Sequence, residues 1–521
     1  MSPRVRAILF TVVGAGLAIV IGADLADEKF VLATLLGLFA FWLIAAKVSR
    51  VAPQAWLLGA ALVGYIVGNR GFAQMQPTRG IPLLPAEAVL LVSVPILAVR
   101  MTMKKSAGVQ RDPLNYAILA WMAVGALRLP FDMRDYGVVA LRDFAMVYYG
   151  AFFFVAQDFG TDSASARMLR KSLTVAFVLL MPAVVSTLVA PDFLLTYLTW
   201  DGIPLIFHKS DLIATSLAAG FFWLWTRWDQ SHRRWWLAAA TLSLFLIGTM
   251  SSPRAAMVAV FLVTLLWVAC GRWRIAAFEL TATGAALVVA LAVVLGSGRD
   301  LKTSLPYSMY EHVASLFDPG GHNTYINNES GDLGGNNQFR LIWWKDVIED
   351  TVHSKPLMGQ GFGADLSARF LADFDLLNDE TFAARSPHSM IVTVFGRMGI
   401  VGFLCWMAIS GYAASVVWRL FRRGDPDGMG LACVTASFWL SSCVGVVLEG
   451  PMGAVIFWTA LGLANSTLRK GNEDGQIPRA GERPVAMPVP LDTQSSPRLT
   501  CACPSIPSAS SRPPPGSVGT S

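Results

Sequence analysis

Residues 275–296 read IAAFELTATGAALVVALAVVLG, twenty-two positions with Glu279 as their single charge and no proline. At about 1.5 Å per residue, a helix of this length crosses a hydrocarbon core of roughly 30 Å. Arg272 and Arg274 precede the block, and a long polar segment comes after it. The pattern recurs along the chain. Apolar spans lie near 7–23, 30–46, 53–68, 81–99, 116–130, 144–157, 173–190, 211–226, 235–250, 255–270, 275–296, 400–418, 429–447 and 451–466, fourteen in all. The whole chain of 521 residues is 54% hydrophobic and only 15% charged. A soluble domain carries about 25% charged residues, so an ordinary soluble enzyme is excluded. These features predict an all-α, polytopic transmembrane bundle of about 12–14 helices. The span 7–23 comes after Arg4 and Arg6 but lacks a clear small-residue cleavage site behind it, so it reads as a retained helix.

Lysine and arginine in the short loops set the orientation. With the N-terminus inside, the inner loops hold Lys47 and Arg50, then Arg100, Lys104, Lys105 and Arg111, then Arg167, Arg170 and Lys171. The series continues with Arg227, Arg233 and Arg234, then Arg272 and Arg274, then Arg419, Arg422 and Arg423, and finally Arg469 and Lys470. The alternation implies an even helix count with both termini in the cytoplasm. On this reading the chain divides into N-terminal transmembrane helices (1–296), one large periplasmic and partly helical loop (297–388), C-terminal transmembrane helices (389–470) and a cytoplasmic Pro/Ser-rich tail (471–521). The large loop holds seven Lys/Arg against thirteen Asp/Glu. The tail composition, as in the Pro-rich run at Arg512–Gly516, is that of a disordered segment.

The six cysteines lie in apolar blocks or in the tail, so neither a disulfide framework nor metal-type spacing is expected. Histidine is more informative, because a general base near neutral pH is most often histidine. Four of the six histidines, His312, His322, His353 and His388, fall in the large loop, and His208 falls in another outer loop. His388 ends the loop at Ser386-Pro387-His388-Ser389. A helix is expected to start near Ser389, which places His388 at its N-terminus and at the membrane interface. Gly399 and Gly402 come next, at a spacing suited to close helix packing.

Upstream, Leu341, Trp344, Ile348 and Val352 recur at helical spacing, with Lys345, Asp346, Glu349 and Asp350 between them. This predicts an amphipathic helix, able to lie on a bilayer, with Arg340 in its first turn. It should stop before Lys355-Pro356. The stretch Pro356-Leu357-Met358-Gly359-Gln360-Gly361-Phe362-Gly363 then reads as a glycine-rich turn, since no strand–turn–helix context makes it a nucleotide loop. Arg254 sits in Ser252-Pro253-Arg254-Ala255 between two apolar spans, a depth at which arginine points to function. Arg128 and Arg142 lie on the same side. Guanidinium groups bind phosphate bidentately, so converging arginines suit a lipid pyrophosphate. Pairing with Asp132, Asp135 and Asp143 is the alternative for this set.

Taken together, Arg340-Leu341-Ile342-Trp343-Trp344, the Pro356–Gly363 turn, Pro387-His388-Ser389 and Gly399-Ile400-Val401-Gly402 resemble the O-antigen ligase and Wzy-type polysaccharide polymerase superfamily. The Ser252–Ala255 turn is similar to that family's Ser-Arg turn, with Pro253 inserted. Ser389 stands where asparagine is commoner. The resemblance implies a membrane glycosyltransferase of lipopolysaccharide or exopolysaccharide assembly in the bacterial inner membrane. The donor would be a glycan on undecaprenyl pyrophosphate, and the acceptor a lipid A–core sugar or a second lipid-linked glycan. No cofactor, metal or nucleic acid is implied. By motif, His388, Arg340 and Arg254 would be catalytic, and Arg142, Arg128, Trp343, Trp344 and Ser389 would bind substrate. A lipid-linked oligosaccharide flippase is the alternative, for which paired broken helices are expected and none is evident. A scaffolding protein with the tail as its binding arm is the third reading.

Overall fold

The computed structural model describes residues 51–75, 84–103, 108–200, 202–251, 253–298, 300–318, 320, 322, 323, 325, 326, 333–373 and 385–474. The spans 7–23 and 30–46, and all but the first residues of the expected tail, lie outside these. The chain divides into two units, Met1–Asp474 and Gly475–Ser521, and all the helices and strands named below belong to the first.

Each of the other spans read from hydropathy overlaps a helix among the described residues. Among the described residues, six helices are long and apolar enough to cross a membrane: Pro85–Thr102, Pro113–Tyr136, Val138–Thr161, Ser163–Val189, Arg274–Ser297 and Met390–Arg423. Pro53–Val67, Arg234–Ile247 and Arg254–Ala269 are shorter apolar helices. The fold is an all-α polytopic bundle, as expected. Its described strands are a two-residue antiparallel pair, Thr199–Trp200 with Ile203–Pro204.

The packing rests on small residues and indoles. Helix Pro451–Asp474 lies against Ala151–Thr161 so closely that a side chain at Gly462 would meet the Phe153 carbonyl at 2.3 Å. Helix Ser210–Ser231, buried on almost every face, packs on Arg234–Ile247 and Pro426–Ser442. Trp121 and Trp406 meet at 5.7 Å and join Pro113–Tyr136 to Met390–Arg423. At the basic end of the bundle, Asp427 pairs with Arg170 at 3.2 Å and with Arg227 at 2.5 Å. Asp112 takes Arg469 at 2.8 Å in a network with Asn115, Gln157 and Asn465.

At the opposite end, helix Met390–Arg423 is broken once. Gly399 has φ 61° and ψ −158°, which frees backbone groups on both sides of it. The glycine turn fills the gap. Ile400 N–H donates to the Pro356 carbonyl (2.9 Å) and Val401 N–H to that of Leu357 (3.2 Å). In return Gln360 N–H donates to the Gly396 carbonyl (2.7 Å) and Gly361 N–H to that of Arg397 (3.1 Å). Irregular backbone at this depth is tolerated where protein satisfies it. Gly399 therefore ends a helix segment and admits a neighbouring chain, a stronger role than the helix–helix packing expected of it.

The amphipathic helix is Leu333–Ser354, and it starts earlier than the sequence pattern suggests. Arg340 accordingly sits two turns in, beyond the first turn expected for it. The core-facing side also differs. Trp343, Val347 and Thr351 are buried, whereas Leu341, Ile348 and Val352 are exposed. The neighbours select this face, because Trp343 and Val347 form a small separate core with Leu366, Phe370 and Val392.

An alanine at Gly399 would place its Cβ 2.5 Å from Gly359 N and from the Leu357 carbonyl, at a positive φ. A backbone conformation this unfavourable for L-residues costs roughly 1–3 kcal/mol by itself. Gly399→Ala is expected to lower the thermal unfolding midpoint in detergent. Gly411→Ala, in the same helix with nothing within 4 Å, leaves it unchanged. Equal midpoints for the two variants would contradict the role given to the break.

Candidate functional site

Three separate segments meet above the broken helix. Helix Leu333–Ser354 brings Arg340, Trp343 and Trp344. The chain before Met390 brings His388 and Ser389, and the start of helix Arg254–Ala269 brings Arg254.

The two indoles fix the histidine. Trp343 is 1% exposed, donates from Nε1 to the Leu366 carbonyl (2.7 Å) and stacks on Phe370 at 5.4 Å. Its ring lies 5.9 Å from that of His388. Trp344 donates to the Pro387 carbonyl, one residue before His388. His388 itself has φ +57°, a left-handed conformation that histidine adopts more readily than most residues but that still needs support from its surroundings. Ser389 is the buried N-cap of the next helix, and its side chain makes no capping hydrogen bond. Its carbonyl accepts from Thr393 N–H at 2.8 Å.

The arginines are held differently. Arg340 donates from one terminal nitrogen to the Val444 carbonyl (2.9 Å), in the irregular turn before helix Pro451–Asp474. Its Nε is buried with no hydrogen-bond partner among the described residues. Burial lowers its proton affinity, and the Asp211 carboxylate opposes this. Arg254 donates to Asn337 Oδ1 (2.6 Å), and the amide of Asn337 in turn holds the Ser315 and Asp318 carbonyls. Arg254 and Arg340 are close enough to repel one another electrostatically.

His388 feels the same charge. Burial, then Arg340, then Lys209 push its imidazole from the ordinary 6.5 down to about 4. It is therefore neutral at pH 7 and able to accept a proton. Burial is the larger cause of this lowering and the cations add to it, so an anion bound against Arg340 would raise its basicity.

Two of the sequence-derived candidates have other work. Arg128 is buried, pairs with Asp132 at 2.9 Å and donates to the Gly359 carbonyl at 2.9 Å. The pairing alternative thus describes Arg128, which braces the glycine turn. Asp132 also accepts from Phe362 N–H (2.7 Å), and Asp143 from Gly363 N–H (3.0 Å) and from Arg397 (2.8 Å). The turn's backbone is committed to the protein, in line with its reading as structural. Arg142 is exposed on the short helix Val138–Asp143, and among the described residues no hydrogen bond or ion pair links it to His388, Arg340 or Arg254. Trp343 is a core residue whose indole is fully engaged.

Several neighbours escape sequence reasoning. Glu449 accepts from Thr393 Oγ1 at 2.9 Å, and Ser386 and Thr393 hydroxyls meet at 3.2 Å, so a polar chain runs beside His388. Burial pushes the Glu449 carboxyl up, opposed by Ser386, Thr393, Arg397 and Lys209. Lys209 pairs with Asp211 at 3.3 Å at the start of helix Ser210–Ser231. Asn337 is one turn before Arg340, a spacing that could have flagged it. Nothing local marks Lys209 or Glu449, because their place depends on how distant helices pack. Among the described residues, no group of three or more His, Cys, Asp or Glu is arranged to hold a metal ion.

Residues 237–407 match the family model described as O-antigen ligase, an interval that contains Arg254, Arg340, His388 and the Gly399 break. A search of curated proteins finds no match to the chain. This match over 237–407 supports placing the chain in the O-antigen ligase-related superfamily.

Proposed function

We propose that the protein is a glycosyltransferase of the bacterial inner membrane that moves a glycan from undecaprenyl pyrophosphate onto an acceptor sugar hydroxyl on the periplasmic side. The observation that carries this reading is the meeting of a neutral histidine with two arginines at one end of a membrane bundle, inside the matched segment. The domain supports polysaccharide ligase or polymerase activity in general.

The chemistry rests on the charges. The acceptor oxygen attacks the anomeric carbon as the carbon–oxygen bond to pyrophosphate breaks. The pyrophosphate leaves with the bonding pair, and Arg340 and Arg254 stabilise its growing negative charge. The acceptor proton passes to the His388 imidazole, or is oriented by it. Attack from the face opposite the leaving group inverts the anomeric centre. Trp344 and Trp343 hold His388 in place, and Arg128 acts at one remove by bracing the glycine turn. The broken helix does not favour a flippase, because the turn 356–361 closes the break with backbone hydrogen bonds.

The test is a proteoliposome assay with an undecaprenyl-pyrophosphate-linked glycan, with and without a lipid A–core acceptor. A ladder of lengthened glycan without added acceptor marks a polymerase, and a single transfer that needs lipid A–core marks a ligase. His388→Ala is expected to lose about 10²–10⁴-fold in rate while remaining folded in the membrane. Removal of one arginine as Arg340→Gln should cost about 10²–10³-fold. Wild-type product from His388→Ala would overturn the role of this residue.

The pH profile is a second check. His388 gains its proton only as pH falls towards about 4. The acid limb of kcat/KM should therefore lie well below the 6.5 of an ordinary histidine. A limb at the ordinary value would contradict the electrostatic description of the site.

A further inference from the structure

Helix Leu333–Ser354 turns Trp343, Val347 and Thr351 inward and leaves an apolar stripe on its other side. Leu341 is 45% exposed, Ile348 42% and Val352 50%. The stripe does not end with the helix. Leu357 and Met358, in the turn after it, are 65% and 43% exposed. The carbonyls of Pro356 and Leu357 are bonded to Ile400 N–H and Val401 N–H, at the first residues beyond the break. From there the outward surface of the membrane helix continues through Ile400, Leu404 (59% exposed) and Met407 (44% exposed). Exposed apolar side chains thus run from the outward side of a membrane helix, across the bonded turn, onto a helix outside the span. Lys345 lies within the stripe, held loosely by Glu349 at 3.7 Å, and exposed Lys355 comes just after the helix.

We propose that helix Leu333–Ser354 rests on the bilayer surface, with Leu341, Ile348, Val352, Leu357 and Met358 against phospholipid acyl chains. Continuity with the lipid face selects the occupant. A large exposed apolar patch requires a cover, and the cover of the adjoining surface is lipid. The lysines fit the same partner, since their stems lie along apolar surface while the ammonium reaches the phosphate level. The helix then holds Arg340 and the indoles that fix His388 at a set height above the hydrocarbon. This inference does not depend on the reaction proposed above.

The test uses the full-length protein in vesicles of phosphatidylethanolamine and phosphatidylglycerol. A trace phospholipid carries a diazirine near the glycerol end of one acyl chain, and adducts are mapped on peptides after illumination. Adducts are expected on residues 341–358 as well as on 400–407. The triple variant Leu341→Gln, Ile348→Gln, Val352→Gln leaves the inward face intact, and it should lose the 341–358 adducts and keep those on 400–407. Labelling of 400–407 with 341–358 bare in the wild type would overturn the proposal. So would a cross-link from 341–358 to a second copy of the chain, or adducts that persist in the triple variant. If the variant does not fold, the wild-type map decides by itself.

Discussion

Four backbone hydrogen bonds between the glycine turn and the break at Gly399 hold the site end of this protein together. A helix that loses a turn leaves donors and acceptors that low-dielectric surroundings penalise by roughly 1–3 kcal/mol each when unpaired. Here the 356–361 segment supplies every partner in that exchange. The turn can come so close only because Gly359 and Gly399 both take positive φ and carry no Cβ. Its other side is fixed by Arg128 and Asp132 from one membrane helix and by Asp143 from the next segment. The result is a rigid joint between the bundle and the segment that carries Trp343, Trp344 and Arg340.

The site inherits its electrostatics from this joint. Arg254, Arg340 and Lys209 come from distant parts of the chain; the charge of Arg340 bears on Arg254 and, with that of Lys209, on His388. That arrangement costs stability unless an anion relieves it, and Asp211 relieves only part. The buried Nε of Arg340, which lacks a partner among the described residues, has the same meaning. The pyrophosphate of the proposed donor would bring compensating charge and hydrogen-bond acceptors at once. Burial above all, with Arg340 and Lys209 adding to it, holds the His388 imidazole well below its ordinary range, and an anion bound against Arg340 would raise its basicity.

Much of this is legible in the sequence, for physical reasons. Membrane helices announce themselves by length and apolarity, so the spans fall where the helices are. The Gly359–Gly363 run and the Pro387-His388-Ser389 step are local, and they read correctly as a turn and a helix start. The inward face of Leu333–Ser354 is not legible. An interfacial helix has two apolar faces, one towards protein and one towards lipid, and periodicity alone favours Leu341, Ile348 and Val352. The pairing of Arg128 with Asp132 four residues on is open to a sequence reading, but its contact with the Gly359 carbonyl, 231 residues away, is not. Glu449 and Lys209 reach the site through tertiary packing alone.

The central claim is that Arg254 and Arg340 receive the pyrophosphate of a lipid-linked donor while His388 faces the acceptor. The most direct measurement is an electron cryomicroscopy structure of the protein in nanodiscs with undecaprenyl pyrophosphate. Phosphate density is expected against both guanidinium groups, beside the His388 imidazole and above the Gly399 break. Phosphate density elsewhere on the protein, with Arg254 and Arg340 unoccupied, would contradict the claim.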